Sequence, residues 1–165
     1  MELTQKRLKY LVDYNPFTGV FIWKKSIGSR SIVGEPAGNI MKPLGYRQIR
    51  IDKKLYYSHR LAWLYMYGEF PKHQIDHINH DRADNRINNL RDCTQADNKK
   101  NIRKYKNNTS GVTGVHWCKK RNEWTCAISG DGKVINGGRF KNKEDAILKR
   151  EALLVEYKYH ENHGV

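Results

Sequence analysis

A basic segment without acidic residues divides this chain. Residues 98–122 contain eight Lys or Arg and no Asp or Glu, and the run Asn107-Asn-Thr-Ser-Gly111 lies in the middle of them. Small polar residues and glycine favour a solvated linker over a packed element. We therefore predict two small domains, residues 1–106 and residues 107–165, in place of one continuous core.

The charge balance indicates a polyanionic partner. The 165 residues include 31 Lys or Arg against 17 Asp or Glu, a formal net charge of +14. No stretch approaches the roughly 20 apolar residues that cross a bilayer, so nucleic acid is favoured over a membrane. Cys93, Cys118 and Cys126 form no C-x-x-C pair, which argues against a disulfide framework and a zinc ribbon. We expect a protein of the reducing cytoplasm, without a secretion signal.

Turn residues and apolar runs predict the elements of the first domain. Ser58 and Thr94 are suited to N-cap helices, and Gly68 to end one. In chain order we predict a helical pattern within residues 1–12, a turn at 13–19, a strand at 20–23, a hairpin at 46–57, a helix at 59–67, strands at 74–77 and 90–93 around a polar loop, and a helix from 95 to about 102.

Three strands and one helix are predicted for the second domain. The strands cover 112–119, 124–129 and 133–140, and Asn142 caps the helix. Together with the first domain this gives an α+β fold class, with the second domain a two-layer sandwich. Because side chains alternate along a strand, an apolar set faces the helix: Val115, Trp117, Trp124, Cys126 and Ile128. The opposite face carries His116, Cys118, Thr125, Ala127, Ser129 and Asn136.

Seven short segments occur in an order and at a spacing that together are specific. They are Asn15-Pro-Phe-Thr-Gly19, Gly45-Tyr46, His59-Arg-Leu-Ala-Trp63, Ile75-Asp-His-Ile-Asn79, Asp84-Asn-Arg86, Asn88-Asn-Leu-Arg91 and Asp97-Asn98. In this respect the chain resembles the HNH nucleases, and within them the phage and intron-encoded branch. That resemblance implies a ββα-metal module, in which a hairpin packs on a helix with the metal ion between them.

Residue by residue, the resemblance implies a catalytic set. His77 would be the general base, and Asp76 and Asn98 the metal ligands. Asn89 would tie down the loop between the two strands with its side-chain amide. Asn98 stands where many relatives carry a second His, a replacement that is common in the homing branch.

Elementary chemistry agrees with these roles. Oxygen ligands from Asp76 and Asn98 suit one Mg²⁺ or Mn²⁺ ion better than zinc. A histidine with an ordinary pKa of about 6.5 can accept a proton from water near neutral pH. Because adjacent residues on a regular strand point to opposite faces, Asp76 and His77 can serve one phosphate only at a strand end. We therefore expect the pair where the strand turns into the loop at Asn79.

Two other interpretations of these residues remain open. The Asp-His pair followed by Asn-rich sequence could be a capped turn without chemistry. His77, His80 and Cys93 could instead contribute to a zinc site, although no fourth ligand stands at a suitable spacing. We expect His59 to seat its helix or to touch a phosphate.

Residues 110–159 resemble the AP2 DNA-binding domain. The resemblance lies in Gly111-Val-Thr-Gly-Val-His-Trp117, Trp124-Thr-Cys-Ala-Ile128, Gly138-Arg-Phe140 and the closing helix. In that family the sheet lies in the major groove and the helix packs behind it, so Trp117 and Trp124 would be core residues. Residues suited to contact DNA are Arg60, Lys99, Lys100, Arg103, Lys104, His116, Lys119, Lys120, Arg121 and Arg139.

The sequence thus predicts a metal-dependent endonuclease acting on double-stranded DNA, phage-encoded and homing-like, with a monomer favoured. A DNA-binding protein with a degenerate nuclease site is the alternative, and an RNA-binding or RNA-cutting protein is a third possibility.

Overall fold

The computed structural model describes residues 2–101, 104, 106–130 and 133–164. Its elements separate into two compact units, Met1–Thr94 and Gln95–Val165. The α+β class predicted from the sequence is confirmed, with four helices and several small antiparallel sheets among the described residues. The domain boundary after Lys106 stays a prediction.

The first unit begins with a helix and a hairpin. Helix α1 (Gln5–Leu11) is capped by the Thr4 side chain, which accepts a hydrogen bond from the Arg7 amide. Strands β1 (Val12–Asn15) and β2 (Val20–Trp23) pair in antiparallel register. The turn expected over 13–19 is therefore shorter, because Val12 and Tyr14 alternate inward as buried strand residues.

A second sheet and the longest helix of this unit follow. The sheet comprises β3 (Asn39–Ile40), β4 (Arg47–Ile51) and β5 (Lys54–Tyr57), which confirms the hairpin predicted at 46–57. Helix α2 (Ser58–Tyr67) ends at Gly68, whose φ of 88° is left-handed, as predicted. Ser58 is not the N-cap, since β5 enters the helix directly and places Ser58 within the first turn, where it is buried.

The first unit closes with the hairpin of β6 (Gln74–His77) and β7 (Leu90–Cys93), both as predicted. A short 3-10 helix, Ile87–Asn89, leads into β7. One core joins these elements through buried apolar side chains of all three sheets and both helices of this unit. It includes Leu8, Leu11, Phe21, Ile49, Ile51, Leu61, Leu64, Ile75 and Leu90.

The second unit begins with a short helix, α3 (Gln95–Lys99), which is shorter than predicted. Ile102, near its predicted end, lies outside the described residues. Strands β8 (Val115–Cys118), β9 (Glu123–Gly130) and β10 (Lys133–Phe140) form an antiparallel sheet in the order β10-β9-β8. Helix α4 (Lys143–Glu156) begins after Asn142, as predicted, but no side-chain cap bond is made there.

One face of this sheet packs against α4. Val115 and Cys126 are buried with Ala146 of the helix, and Trp124 packs partly buried against them. Trp117 was expected in this core, but its side chain is 40% exposed at the edge strand, with its ring against Trp124. None of the helices described is long and apolar enough to cross a membrane.

Candidate catalytic site on the β6–β7 hairpin

Asp76 and His77 are the last two residues of β6, at the strand end predicted from the sequence. Their cross-strand partners are Arg91 and Leu90. Both side chains are buried, Asp76 at 7% and His77 at 4% exposure. Their polar partners differ, as alternation along a strand requires.

Asn89 joins the two ends of the loop between the strands. Its Oδ1 accepts the Asn79 amide at 3.0 Å, and its Nδ2 donates to the Asp84 carbonyl at 2.9 Å. The Ile78 amide also donates to the Asn89 carbonyl at 2.9 Å. The backbone directly after His77 is therefore fixed by the side chain and carbonyl of Asn89, the residue just before β7.

Asp84 strengthens the same loop. Its carboxylate accepts from Nδ2 of Asn79 at 2.7 Å and from the guanidinium of Arg86. These bonds hold the pKa of Asp84 below its ordinary value, with Arg86 as the largest cause. An ionised Asp84 thus keeps the loop closed at neutral pH.

Asn85 contacts the ring of His77, a partner that the sequence did not reveal. Nε2 of His77 lies 3.4 Å from Oδ1 of Asn85, and Asn85 is only 1% exposed. The amide is oriented by its own Nδ2, which donates to the Ala83 carbonyl at 3.0 Å, so the oxygen faces the histidine. Tyr14 secures the backbone by donating to the Asn85 carbonyl at 2.7 Å.

Aromatic rings line the other side of His77. The His59 ring meets it edge to face at 5.1 Å, and the Tyr46 ring lies 5.9 Å away. His59 stacks on Tyr57 with an interplanar angle of 9°. Burial lowers the pKa of His77. Burial also lowers the pKa of His59 to about 3, with smaller contributions from His77 in its protonated form and from the charge of Arg60. Both imidazoles are therefore neutral at pH 7.

Asp76 is paired with Arg91. Nε and Nη2 of Arg91 both donate to Oδ2 of Asp76, at 2.9 and 2.7 Å. The carboxylate side chain is 8% exposed and the guanidinium 30%. A buried carboxylate needs such a partner, because isolated burial of the charge is costly.

The other predicted metal ligand, Asn98, lies on α3 and so belongs to the second unit. It is half-buried, and its carbonyl accepts the Asn101 amide at 3.0 Å. Across the described ranges, no three or more His, Cys, Asp or Glu side chains are grouped to hold a metal ion. The zinc site considered for His77, His80 and Cys93 therefore gains no support.

Several of the basic residues predicted to contact DNA are exposed in their own units. Lys99, Lys104, Lys119, Lys120, Arg121 and Arg139 are exposed, and Arg103 lies outside the described residues. Lys100 and Arg60 are half-buried: Nζ of Lys100 donates to the Tyr157 carbonyl, and the Arg60 guanidinium lies over Phe70. These two therefore also have roles in packing.

A row of polar residues crosses the outer face of the second sheet, with His116 and Arg139 exposed and Thr125 half-buried. The strand register aligns His116 with Thr125 and Thr125 with Arg139, on the face opposite the buried Cys126. The His116 ring and the Thr125 hydroxyl are 2.8 Å apart. This row presents hydrogen-bonding groups on the face that the sequence assigned to DNA.

A comparison with known families bears on the candidate catalytic site. Residues 56–100 match the HNH endonuclease family model. The matched HNH domain runs from β5 through α2 and the β6–β7 hairpin to the end of α3, and contains Asp76, His77, Asn89 and Asn98. HNH endonucleases generally use a divalent metal ion and act on DNA.

A phage protein is similar over a longer stretch. Protein 3.8 of Escherichia phage T7 is 34% identical over 79 residues, which are 47% of this chain and 65% of that protein. The chain thus spans just under two thirds of the length of this relative. No solved structure matches significantly. The AP2 resemblance of the second unit stays a prediction.

Proposed function

We propose that this protein is a metal-dependent DNA endonuclease of the phage homing type. The observation that carries the proposal is the Asp76–His77 pair at the end of β6, inside the segment that matches the HNH family. A formal charge of +14 suits a phosphate-rich substrate. We take double-stranded DNA as that substrate and, given the phage relative, the host cytoplasm as the place of action.

His77 is the general base in this proposal. In this proposal Nε2 donates to Oδ1 of Asn85, in the tautomer that leaves the basic lone pair on Nδ1. The lowered pKa of His77 keeps that nitrogen unprotonated at neutral pH. Proton transfer from water to a histidine so placed contributes on the order of a hundredfold to ten-thousandfold in rate.

Asp76 and Asn98 are the proposed metal ligands. A carboxylate and an amide offer the oxygen donors that Mg²⁺ and Mn²⁺ prefer, so the donor set fits the ion. When bound, the ion would neutralise charge that develops on the phosphate. Arg91 already donates twice to Oδ2 of Asp76, so the carboxylate is held in one orientation before any ion is bound. Asn89 supports the Asp76–His77 end of β6 by fixing the loop that follows it.

The second unit is the proposed DNA reader. Its row of His116, Thr125 and Arg139 offers hydrogen bonds to base edges, and Lys119 to Arg121 offers phosphate contacts at the β8–β9 turn. Substituting His116 and Arg139 by Ala should weaken binding to a preferred site more than to random duplex. Equal losses on both duplexes would remove the reading role.

A DNA-binding protein without nuclease activity is the second candidate. The observation that favours it is the burial of Asp76 and His77, which are only 7% and 4% exposed. Burial to this degree limits the access of a phosphate to both side chains.

Plasmid cleavage distinguishes the two candidates. The wild-type protein is incubated with supercoiled plasmid and Mg²⁺ or Mn²⁺ over a range of pH, and nicked and linear products are measured. We expect cleavage by the wild type and by His73→Ala, a control that removes an exposed histidine of the same unit. His77→Ala should bind DNA normally without cutting. Binding without cutting by the wild type, in every metal and at every pH, would favour the second candidate.

Metal binding is tested independently of activity. A ligand that binds only the folded state raises the Tm. Saturating Mg²⁺ or Mn²⁺ should raise the Tm of the wild-type protein, and this rise should be absent in Asp76→Asn and reduced in Asn98→Ala. An unaltered metal-dependent rise in both variants would place the ion elsewhere.

A further inference from the structure

A cavity of about 630 Å³ opens in the first unit, lined by residues between Arg7 and Leu55. Its walls come from α1, the loop at 27–31 and the β4–β5 hairpin. A volume of roughly 300–1,000 Å³ is typical of clefts that bind a small ligand or one unit of a polymer. We call this cavity the hairpin groove.

The charge of the hairpin groove is strongly positive. Arg7, Arg30, Arg50 and Lys53 line it, against one acid, Asp52. Nη2 and Nε of Arg7 donate to the Asp52 carboxylate at 2.8 and 3.1 Å, so the charges of Arg7 and Asp52 neutralise each other. Arg30, Arg50 and Lys53 are exposed and remain as the cationic surface. Such a surface favours an anionic ligand.

The two walls are held by local bonds. Asp52 and Lys53 have φ of 47° and 67°, the left-handed pair of a tight two-residue hairpin turn, which presents Lys53 at the tip. On the other wall Oγ of Ser31 donates to the Gly28 carbonyl at 2.8 Å and accepts the Ile27 amide at 2.6 Å. The groove is therefore formed before a ligand arrives, which lowers the cost of binding.

Apolar side chains lie beside the cations. Ile27 and Leu55 line the groove and are 40% and 55% exposed, while Trp23 is buried beneath at 5%. Positive charge next to exposed apolar surface suits a ligand with a phosphate and an adjoining sugar or base. Free phosphate alone would leave the apolar part unused.

The groove is connected to the candidate catalytic site by one strand. Tyr57, at the end of β5, stacks on His59, which in turn meets His77. Lys53 precedes Tyr57 by four residues, or about 13 Å at roughly 3.3 Å per strand residue. The Tyr57–His59 and His59–His77 ring contacts, at 5.3 and 5.1 Å, continue the path to the candidate catalytic site.

We propose that the hairpin groove is a second DNA-contact site, which holds one phosphate of the substrate and its sugar at a distance from the bond that is cut. Arg50 and Lys53 bind the phosphate, and Leu55 and Ile27 contact the sugar. This inference rests on the proposed nuclease function for its position along the DNA. Binding itself can be measured without cleavage.

Binding to a random-sequence duplex in EDTA tests the contact. Fluorescence anisotropy gives the Kd across a salt series for wild type and for Arg50→Gln/Lys53→Asn, where Asn tolerates the left-handed turn. The control, Lys6→Gln/Lys9→Gln, removes the same charge from α1; at about 100° per residue these side chains are turned well away from Arg7.

We expect several-fold weaker binding by the groove variant and a slope of log Kd against log salt that is lower by about 1, because one phosphate contact is lost. The control should keep the wild-type slope. Leu55→Ser should weaken binding severalfold without changing the slope. An unchanged slope in the groove variant, an equal loss in the control, or a loss seen with RNA and not with duplex DNA would overturn the proposal.

The position is mapped once the cut site is known. Duplexes that each carry one uncharged methylphosphonate, at successive linkages on either side of the cut, are compared. One modified linkage should weaken binding by the wild type without weakening binding by the groove variant. Losses of equal size in both proteins at every linkage would overturn the phosphate contact. If the wild type does not cut DNA at all, the proposed nuclease function fails, while the salt slopes still decide whether the groove binds DNA.

Discussion

The rings of His59 and His77 meet edge to face, with centroids 5.1 Å apart and planes at 89°. Tyr57 stacks behind His59, and Tyr46 lies within 6 Å of both imidazoles. The ring of the proposed base is therefore enclosed between this aromatic cluster and the Asn85 amide. His59 has the position of a residue that orients His77.

Replacing His59 tests this positioning role. His59→Ala leaves a cavity beside His77, so we expect cleavage to slow by about tenfold to a hundredfold with the Kd for DNA unchanged. The free energy of unfolding should fall by about 2–3 kcal/mol. His59→Phe keeps an aromatic ring in place and serves as the matched control, with most of the rate retained. Loss of DNA binding in His59→Ala at the same stability would point to a binding role instead.

The burial of His59 also predicts how stability depends on pH. The pKa of His59 is about 3 in the folded protein against about 6.5 when exposed, so below pH 6.5 the unfolded chain takes up a proton that the folded chain does not. Stability is therefore complete above pH 6.5 and declines as the pH falls toward 3. Between pH 7 and pH 5 this single group costs about 2 kcal/mol.

Comparison with His59→Phe isolates that contribution. Urea unfolding followed by amide signals of the first unit, at pH 7 and pH 5, should show a smaller acid-induced loss in the variant than in the wild type. The His59 ring itself should show no NMR titration above pH 5. Equal losses of stability in the two proteins would mean that His59 is not the group responsible.

The Asp76–Arg91 pair predicts a coupled effect on stability. Arg91→Ala leaves a buried carboxylate without its two guanidinium donors, so the free energy of unfolding should fall by about 2 kcal/mol. Asp76→Ala/Arg91→Ala should be less destabilised than the sum of the single variants, since neither charge is left behind. Arg7→Ala, which breaks an exposed pair with Asp52, is the control and should change the stability little, because solvent screens the two charges. Additive losses in the Asp76–Arg91 cycle would contradict the coupling.

Gly137 predicts a steric limit in the second unit. It lies at an irregularity in β10, and a Cβ there would be 2.3 Å from Sγ of Cys126 and 2.9 Å from Cδ1 of Leu153. Gly137→Ala should lower the free energy of unfolding of this unit by about 1–3 kcal/mol, because the sheet and α4 must move apart. Gly28→Ala, which meets nothing within 4 Å, is the matched control. A fully stable Gly137→Ala protein would show that this close packing is not required.

Local sequence signals predicted much of the fold. Gly68 ends α2, and the β4–β5 and β6–β7 hairpins occur where alternation and turn residues place them. Predictions based on a side chain that could act in two ways were less successful. Ser58 can cap a helix or lie inside one. Because β5 leads directly into α2, Ser58 lies inside the helix. Trp117 has the strand parity of a core residue, yet at an edge strand it is 40% exposed.

The sequence by itself determined which donors, bases and charges are present, because these are properties of the residue types and their spacing. Asp76, His77, Asn89 and Asn98 stay predicted site residues, and all four lie within residues 56–100, which match the HNH endonuclease family model. Only the tertiary structure decided what surrounds them. His59 and Asn85 reach His77 from different elements, and Arg91 reaches Asp76 across a strand pair. Such contacts depend on long-range packing, which no local pattern encodes.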